Sequence, residues 1–122
     1  MFDPTRTFYH GTRVIGLRQL RPSTGGKFGP GIYLTDFEPT AAVYAQRARG
    51  NGPPVVYAAR VHVSRPFVVR KVDWLRMTER SSPARVQARL KRSGYDSVIG
   101  VALNDVEWQL VVFDPDDVQL ER

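Results

Sequence analysis

Cysteine is absent from this 122-residue chain, and histidine occurs only as His10 and His62. The first absence excludes disulfide staples, thiolate metal sites and a cysteine nucleophile, and the second leaves too few imidazoles for a histidine-based zinc cluster. No apolar run approaches the roughly twenty residues that cross a bilayer. Met1-Phe2-Asp3-Pro4 lacks the basic, apolar and small-residue succession of a secretory leader. These absences predict a cytoplasmic chain with no membrane partner and no metal. Its chemistry is left to carboxylates, histidine, tyrosine and the backbone.

What is present is the composition of one globular domain spanning 1–122, with 42% hydrophobic and 25% charged residues. The net charge of +6 is unevenly placed. The segment Arg60 to Arg92 holds ten basic residues against Asp73 and Glu79, a local +8, so the remainder is slightly acidic. Such a segment attracts phosphates of a nucleic acid or nucleotide, or an acidic protein. A solvated arginine face explains it as well, because aromatic residues are not interleaved with the arginines.

The stretch Gly29 to Tyr44, GPGIYLTDFEPTAAVY, reads as a strand-turn-helix corner. A Gly-Pro-Gly turn leads into a strand over Gly31 to Thr35, Asp36 stands where an N-cap belongs, and an alanine-rich helix runs to about Arg49. Pro39 falls in its first turn, and Gly50 to Pro54 ends it. Gly29 and Gly31 leave room beside the backbone, and Tyr33 and Tyr44 offer two aromatic plates for a flat ring. Ordinary amphipathic packing beside a tight turn accounts for them equally.

Thr7 to His10 is a short strand candidate stopped by Gly11 and Thr12, and Arg13 to Arg21 carries a weak helical spacing at Val14, Leu17 and Leu20. Val55 to Val63 alternates as a half-buried strand, and Phe67 to Val69 is a further extended run. Asp73-Trp74-Leu75 takes no single assignment. Ser82-Pro83 starts a helix with a narrow Val86/Leu90 stripe, closed by Gly94. Tyr95 to Val101 and Val106 to Phe113 read as strands joined around Asn104-Asp105, with a last edge at Val118 to Leu120. Short strands therefore carry the fold and two helices cover it.

Two polar positions stand out. Glu107 opens the apolar run Trp108 to Phe113, so its carboxylate is expected near the sheet and shielded, where a charge needs a hydrogen-bonding partner or a role. A catalytic group that stabilises a developing cation and a solvent-facing strand end are both open readings. His10 precedes Gly11 at a strand end where a ligand can meet the backbone closely, although a lone histidine also serves structure.

Three segments in order, Tyr9-His10-Gly11-Thr12, Gly31 to Asp36 with Tyr44 following, and Glu107 to Asp114, together resemble the His, Tyr and Glu motifs of ADP-ribosyltransferases of the poly(ADP-ribose) polymerase type. The interval from Tyr33 to Tyr44 and the approach Lys27 to Pro30 are similar too. The resemblance implies an α+β fold, two small, mainly antiparallel sheets around an NAD cleft with flanking helices. It implies His10, Tyr33 and Glu107 as catalytic residues and Gly11, Thr12, Arg18 and Tyr44 as cofactor-binding ones. Gly11 would receive the carboxamide, His10 the ribose hydroxyls, and Arg18 or Arg13 the pyrophosphate. NAD would be the co-substrate. Ala41 stands where the family carries a small hydroxyl residue, so one ligand hydrogen bond is missing or comes from elsewhere. The chain between His10 and Tyr33 is short, which favours transfer of a single ADP-ribose unit, or plain hydrolysis of NAD, over polymer formation. The acceptor would be a protein, a nucleic acid or a small molecule. Two alternatives stay open, an NAD glycohydrolase toxin, with room for a neutralising partner protein, and a non-catalytic basic module that binds nucleic acid or protein.

Overall fold

The structure, a computed structural model, describes residues 2–101 and 107–121. The expected Asn104-Asp105 turn and Val106 lie outside the described residues. Seven strands form one mixed sheet: β1 (Phe8–Thr12), β2 (Ile32–Thr35), β3 (Val55–Val61), β4 (Pro66–Arg70), β5 (Ser97–Val101), β6 (Trp108–Val112) and β7 (Val118–Leu120). Among the described residues three α-helices accompany them, α1 (Glu38–Arg47), α2 (Lys71–Met77) and α3 (Pro83–Arg92). The strand order is β4-β5-β6-β2-β1-β3-β7, with β4 and β5 parallel and every other pair antiparallel.

One sheet thus replaces the expected pair, and the reason is a single point of contact. β2 runs in register with β6 from Ile32↔Val112 to Thr35↔Gln109, and β1 with β3 from Phe8↔Ala59 to Thr12↔Val55. Between β1 and β2 the one registered pair is Tyr9↔Thr35. Past that bridge the two strands diverge.

Alternation along the strands sends two apolar sets to opposite faces. On one face Phe8, Ile32, Leu34, Ile99, Leu110 and Val112 pack with Leu20 from the β1–β2 connection. On the other, Val98 and Val111 pack with Phe28, Trp74 of α2, and Val86 and Leu90 of α3. The ambiguous Asp73-Trp74-Leu75 segment is helical because Trp74 is a core anchor. Its indole Nε1–H donates to the Lys27 carbonyl at 2.7 Å, and its ring meets Phe28 edge-on. α3 begins as expected, with the Ser82 hydroxyl accepting from the Arg85 amide.

Arg13 to Arg21 forms no helix. Its polar anchors hold it as an irregular strap: Tyr57 Oη accepts from the Leu17 amide and donates to the Val14 carbonyl, while Leu20 inserts into the core. Nor does Asp36 cap α1. Phe37 occupies the cap position without a side-chain bond, because the Asp36 carboxylate accepts from the Trp108 amide at 2.9 Å and from Arg6 at 3.3 Å. No helix among the described residues is long and apolar enough to cross a membrane.

Candidate functional site

Where β1 and β2 part, a cleft of about 270 Å³ opens, lined by Tyr9, His10, Gly11, Lys27, Tyr33, Leu34, Thr35, Tyr44 and Gln109. The volume lies just under the ~300–1,000 Å³ common for ligand pockets, room for a ring and part of a sugar.

His10 spans the gap. Its Nδ1 lies 2.6 Å from the Tyr33 carbonyl oxygen, a group that only accepts, so Nδ1 carries the proton and donates. Burial lowers the His10 pKa, against the opposing effect of that hydrogen bond, so the ring is neutral at pH 7. Its Nε2 then holds a lone pair and acts as an acceptor.

Tyr33 is fixed at both ends. Its hydroxyl donates to the Gly29 carbonyl at 2.6 Å and accepts from the Phe28 amide at 2.8 Å, closing the loop before β2, while its ring stacks near Phe28. Burial raises its pKa above the ordinary phenol value, which keeps the hydroxyl protonated and the loop closed. Tyr44, on α1, is 47% exposed and stands at the cleft mouth, where its hydroxyl accepts from Gln109 at 3.1 Å.

Glu107 is 8% exposed, and its Oε1 accepts from the Thr35 hydroxyl at 2.8 Å. The same hydroxyl accepts from the Phe37 amide. Asp36 clamps the Trp108 amide one residue away, so two adjacent residues at the end of β2 set the position of the glutamate. Thr35 lines the cleft; Glu107 is not among the lining residues and is tied to that wall by this bond.

On the side where a Cβ would stand, the glycines serve packing. A Cβ on Gly11 would collide with the Ala41 carbonyl of α1, one on Gly29 (φ +91) would lie 2.6 Å from Gln87, and one on Gly31 (φ +144) would lie 2.6 Å from Val111. Gly11 still lines the cleft with its backbone, and Ala41 is fully buried where α1 crosses it.

The remaining expected residues lie elsewhere. Thr12 ends β1 opposite Val55, outside the cleft lining. Arg13 donates to three carbonyls beyond and within the end of α1, those of Gln46, Ala48 and Gly52. Arg18 borders a different hollow with His62 and Gln119, beside β7. Among the described residues lining the cleft the one cation is Lys27, which donates to Gln109 at 2.6 Å. Desolvation lowers its pKa first and Lys71 second, while the charge of Glu107 opposes both. The sequence places Lys27 in the approach to the Tyr33 turn but gives it no site role, because a lysine in a glycine-rich loop looks solvated. The only signal was its place before the Tyr33 turn. Compared with models of protein families and with curated protein sequences, the chain matches none of them.

Proposed function

We propose that this chain is an NAD-dependent ADP-ribosyltransferase with the fold of that family, transferring a single ADP-ribose unit. The observation that carries the reading is the buried Glu107 carboxylate, hydrogen-bonded to Thr35 on the wall of the cleft that His10, Tyr33 and Tyr44 line.

In this reading the nicotinamide ring lies beside Tyr33 and Tyr44 with its carboxamide on the Gly11 backbone. The Nε2 lone pair of His10 accepts from a ribose hydroxyl, and Glu107 accepts from the 2′-hydroxyl of the nicotinamide ribose. Lys27, in place of Arg13 or Arg18, supplies positive charge for the diphosphate. The bond from the ribose C1′ to the nicotinamide nitrogen breaks, nicotinamide leaves with the electron pair, and the oxocarbenium-like cation at C1′ is stabilised by the carboxylate more than the ground state is. An acceptor nucleophile donates its lone pair to C1′ and loses its proton. In this reading the chain acts in the cytoplasm.

The test is nicotinamide release from NAD by the wild-type chain and by Glu107→Gln. The isosteric amide removes the charge, so release should fall at least ~100-fold, the scale of losing one transition-state electrostatic contact, with NAD affinity changed far less. Equal rates for the two proteins would remove Glu107 from the chemistry.

A further inference from the structure

The outer face of α3 bears a cationic row that the cleft does not use. Arg85, Arg89 and Arg92 recur at i, i+4 and i+7, the spacing that puts side chains on one helix face. All three are exposed, and with Ser81 and Ala88 they line a hollow of about 380 Å³. No acidic residue occurs within α3. Among the described residues none of the three arginines is in an ion pair, whereas Arg6, Arg60 and Arg70 each meet a carboxylate. Val86, Gln87 and Leu90 face inward, so the row cannot turn away from solvent. Just past the helix, Arg65 lies over the Tyr95 ring at 4.7 Å.

We propose that this face of α3 holds the sugar-phosphate backbone of a nucleic acid, without reading its bases. Three cations in a row of about 10 Å, with no acid between them, match a polyanion of regularly repeated charge. No aromatic residue lies in the row, so base stacking has no platform there. The opposite face of the same helix fixes the loop of the cleft: Gln87 Nε2 donates to the Phe28 and Pro30 carbonyls at 2.7 and 2.8 Å. A bound strand therefore lies about one helix diameter, ~10–12 Å, from the turn that carries Lys27 and Tyr33. The inference does not depend on the chemistry proposed for the cleft.

The experiment is fluorescence anisotropy with a labelled single-stranded 20-mer and its duplex, titrated without NAD between 50 and 200 mM NaCl. Three phosphate contacts weaken binding about 20-fold for the single strand and about 40-fold for the duplex across that range. Base sequence should not matter. The triple variant Arg85→Gln, Arg89→Gln, Arg92→Gln should lose at least ~10-fold in affinity at 50 mM and most of the salt dependence. A second variant, Arg21→Gln, Arg47→Gln, Arg49→Gln, removes the same charge from exposed positions elsewhere and should bind nearly as wild type. Circular dichroism checks that both fold. Equal losses in the two variants, absence of binding at 50 mM, or binding of polyglutamate as tight as that of the oligonucleotide would each overturn the proposal.

Discussion

Thr35→Val tests how Glu107 is held. The substitution keeps the branched shape in β2 but removes a hydroxyl that donates to Glu107 at 2.8 Å and accepts from the Phe37 amide at 3.1 Å. A hydrogen bond to a charged, buried group contributes ~1.5–3 kcal/mol, and an amide left without its acceptor adds ~1 kcal/mol. A total of ~3 kcal/mol, at ~4 °C per kcal/mol for a chain of this size, lowers Tm by about 12 °C. Thr35→Ser keeps the hydroxyl and loses one methyl group, ~1 kcal/mol or about 4 °C. On the proposed function the effects on turnover diverge further. With the carboxylate displaced, Thr35→Val should reduce nicotinamide release by ~10–100-fold at a temperature well below both midpoints, while Thr35→Ser stays within a few-fold of wild type. Calorimetry and a nicotinamide-release assay read the two effects separately. A Thr35→Val protein that melts within 2 °C of wild type, or a serine variant that is slower than the valine one, would refute the reasoning.

Two further predictions follow from the same region. Because burial holds the His10 pKa below its ordinary 6.5, the folded chain keeps a neutral ring where the unfolded chain begins to protonate. This group's effect leaves stability full above about pH 6.5 and reduces it as pH falls from there to the folded pKa. On the proposed function, nicotinamide release should hold through that window and decline only as pH falls through the folded pKa and Nε2 takes up a proton, and a pH–rate profile whose acid limb lies above 6.5 would contradict the assignment. Gly11→Ala places a methyl group into the Ala41 carbonyl of α1. Overpacking of this kind costs ~1–3 kcal/mol or more, so thermal melting should show a loss of several degrees, and an unchanged midpoint would mean that α1 does not sit tightly on β1.

Much of this architecture was legible in the sequence because periodicity and turn residues report local structure. The alternation in β3, the Ser82-Pro83 start of α3 and the Gly-rich approach to β2 are all local signals. Partnership at long range is not. Asp36 looks like a helix cap until Trp108, 72 residues away, takes its carboxylate. Arg13 looks free to meet an anion until three backbone carbonyls engage it. Glycines 11, 29 and 31 look like space for a ligand, yet on the side where a Cβ would stand the chain's own helices and strands fill it, and only Gly11 also borders the cleft with its backbone. The apolar run after Glu107 predicts its shielding, but Thr35, which donates to it, carries no sequence signal of that role.

The divergence of β1 from β2 leaves an unfinished ladder in the middle of an otherwise continuous sheet. One of the open rungs, the Tyr33 carbonyl, is taken by an imidazole instead of a backbone amide. A planar amide inserted beside Gly11 would act as a surrogate peptide unit, mending the sheet from within. Occupancy of the cleft should then slow deuterium uptake along both bordering strands, coupling the grip on a small molecule to the cohesion of the whole domain.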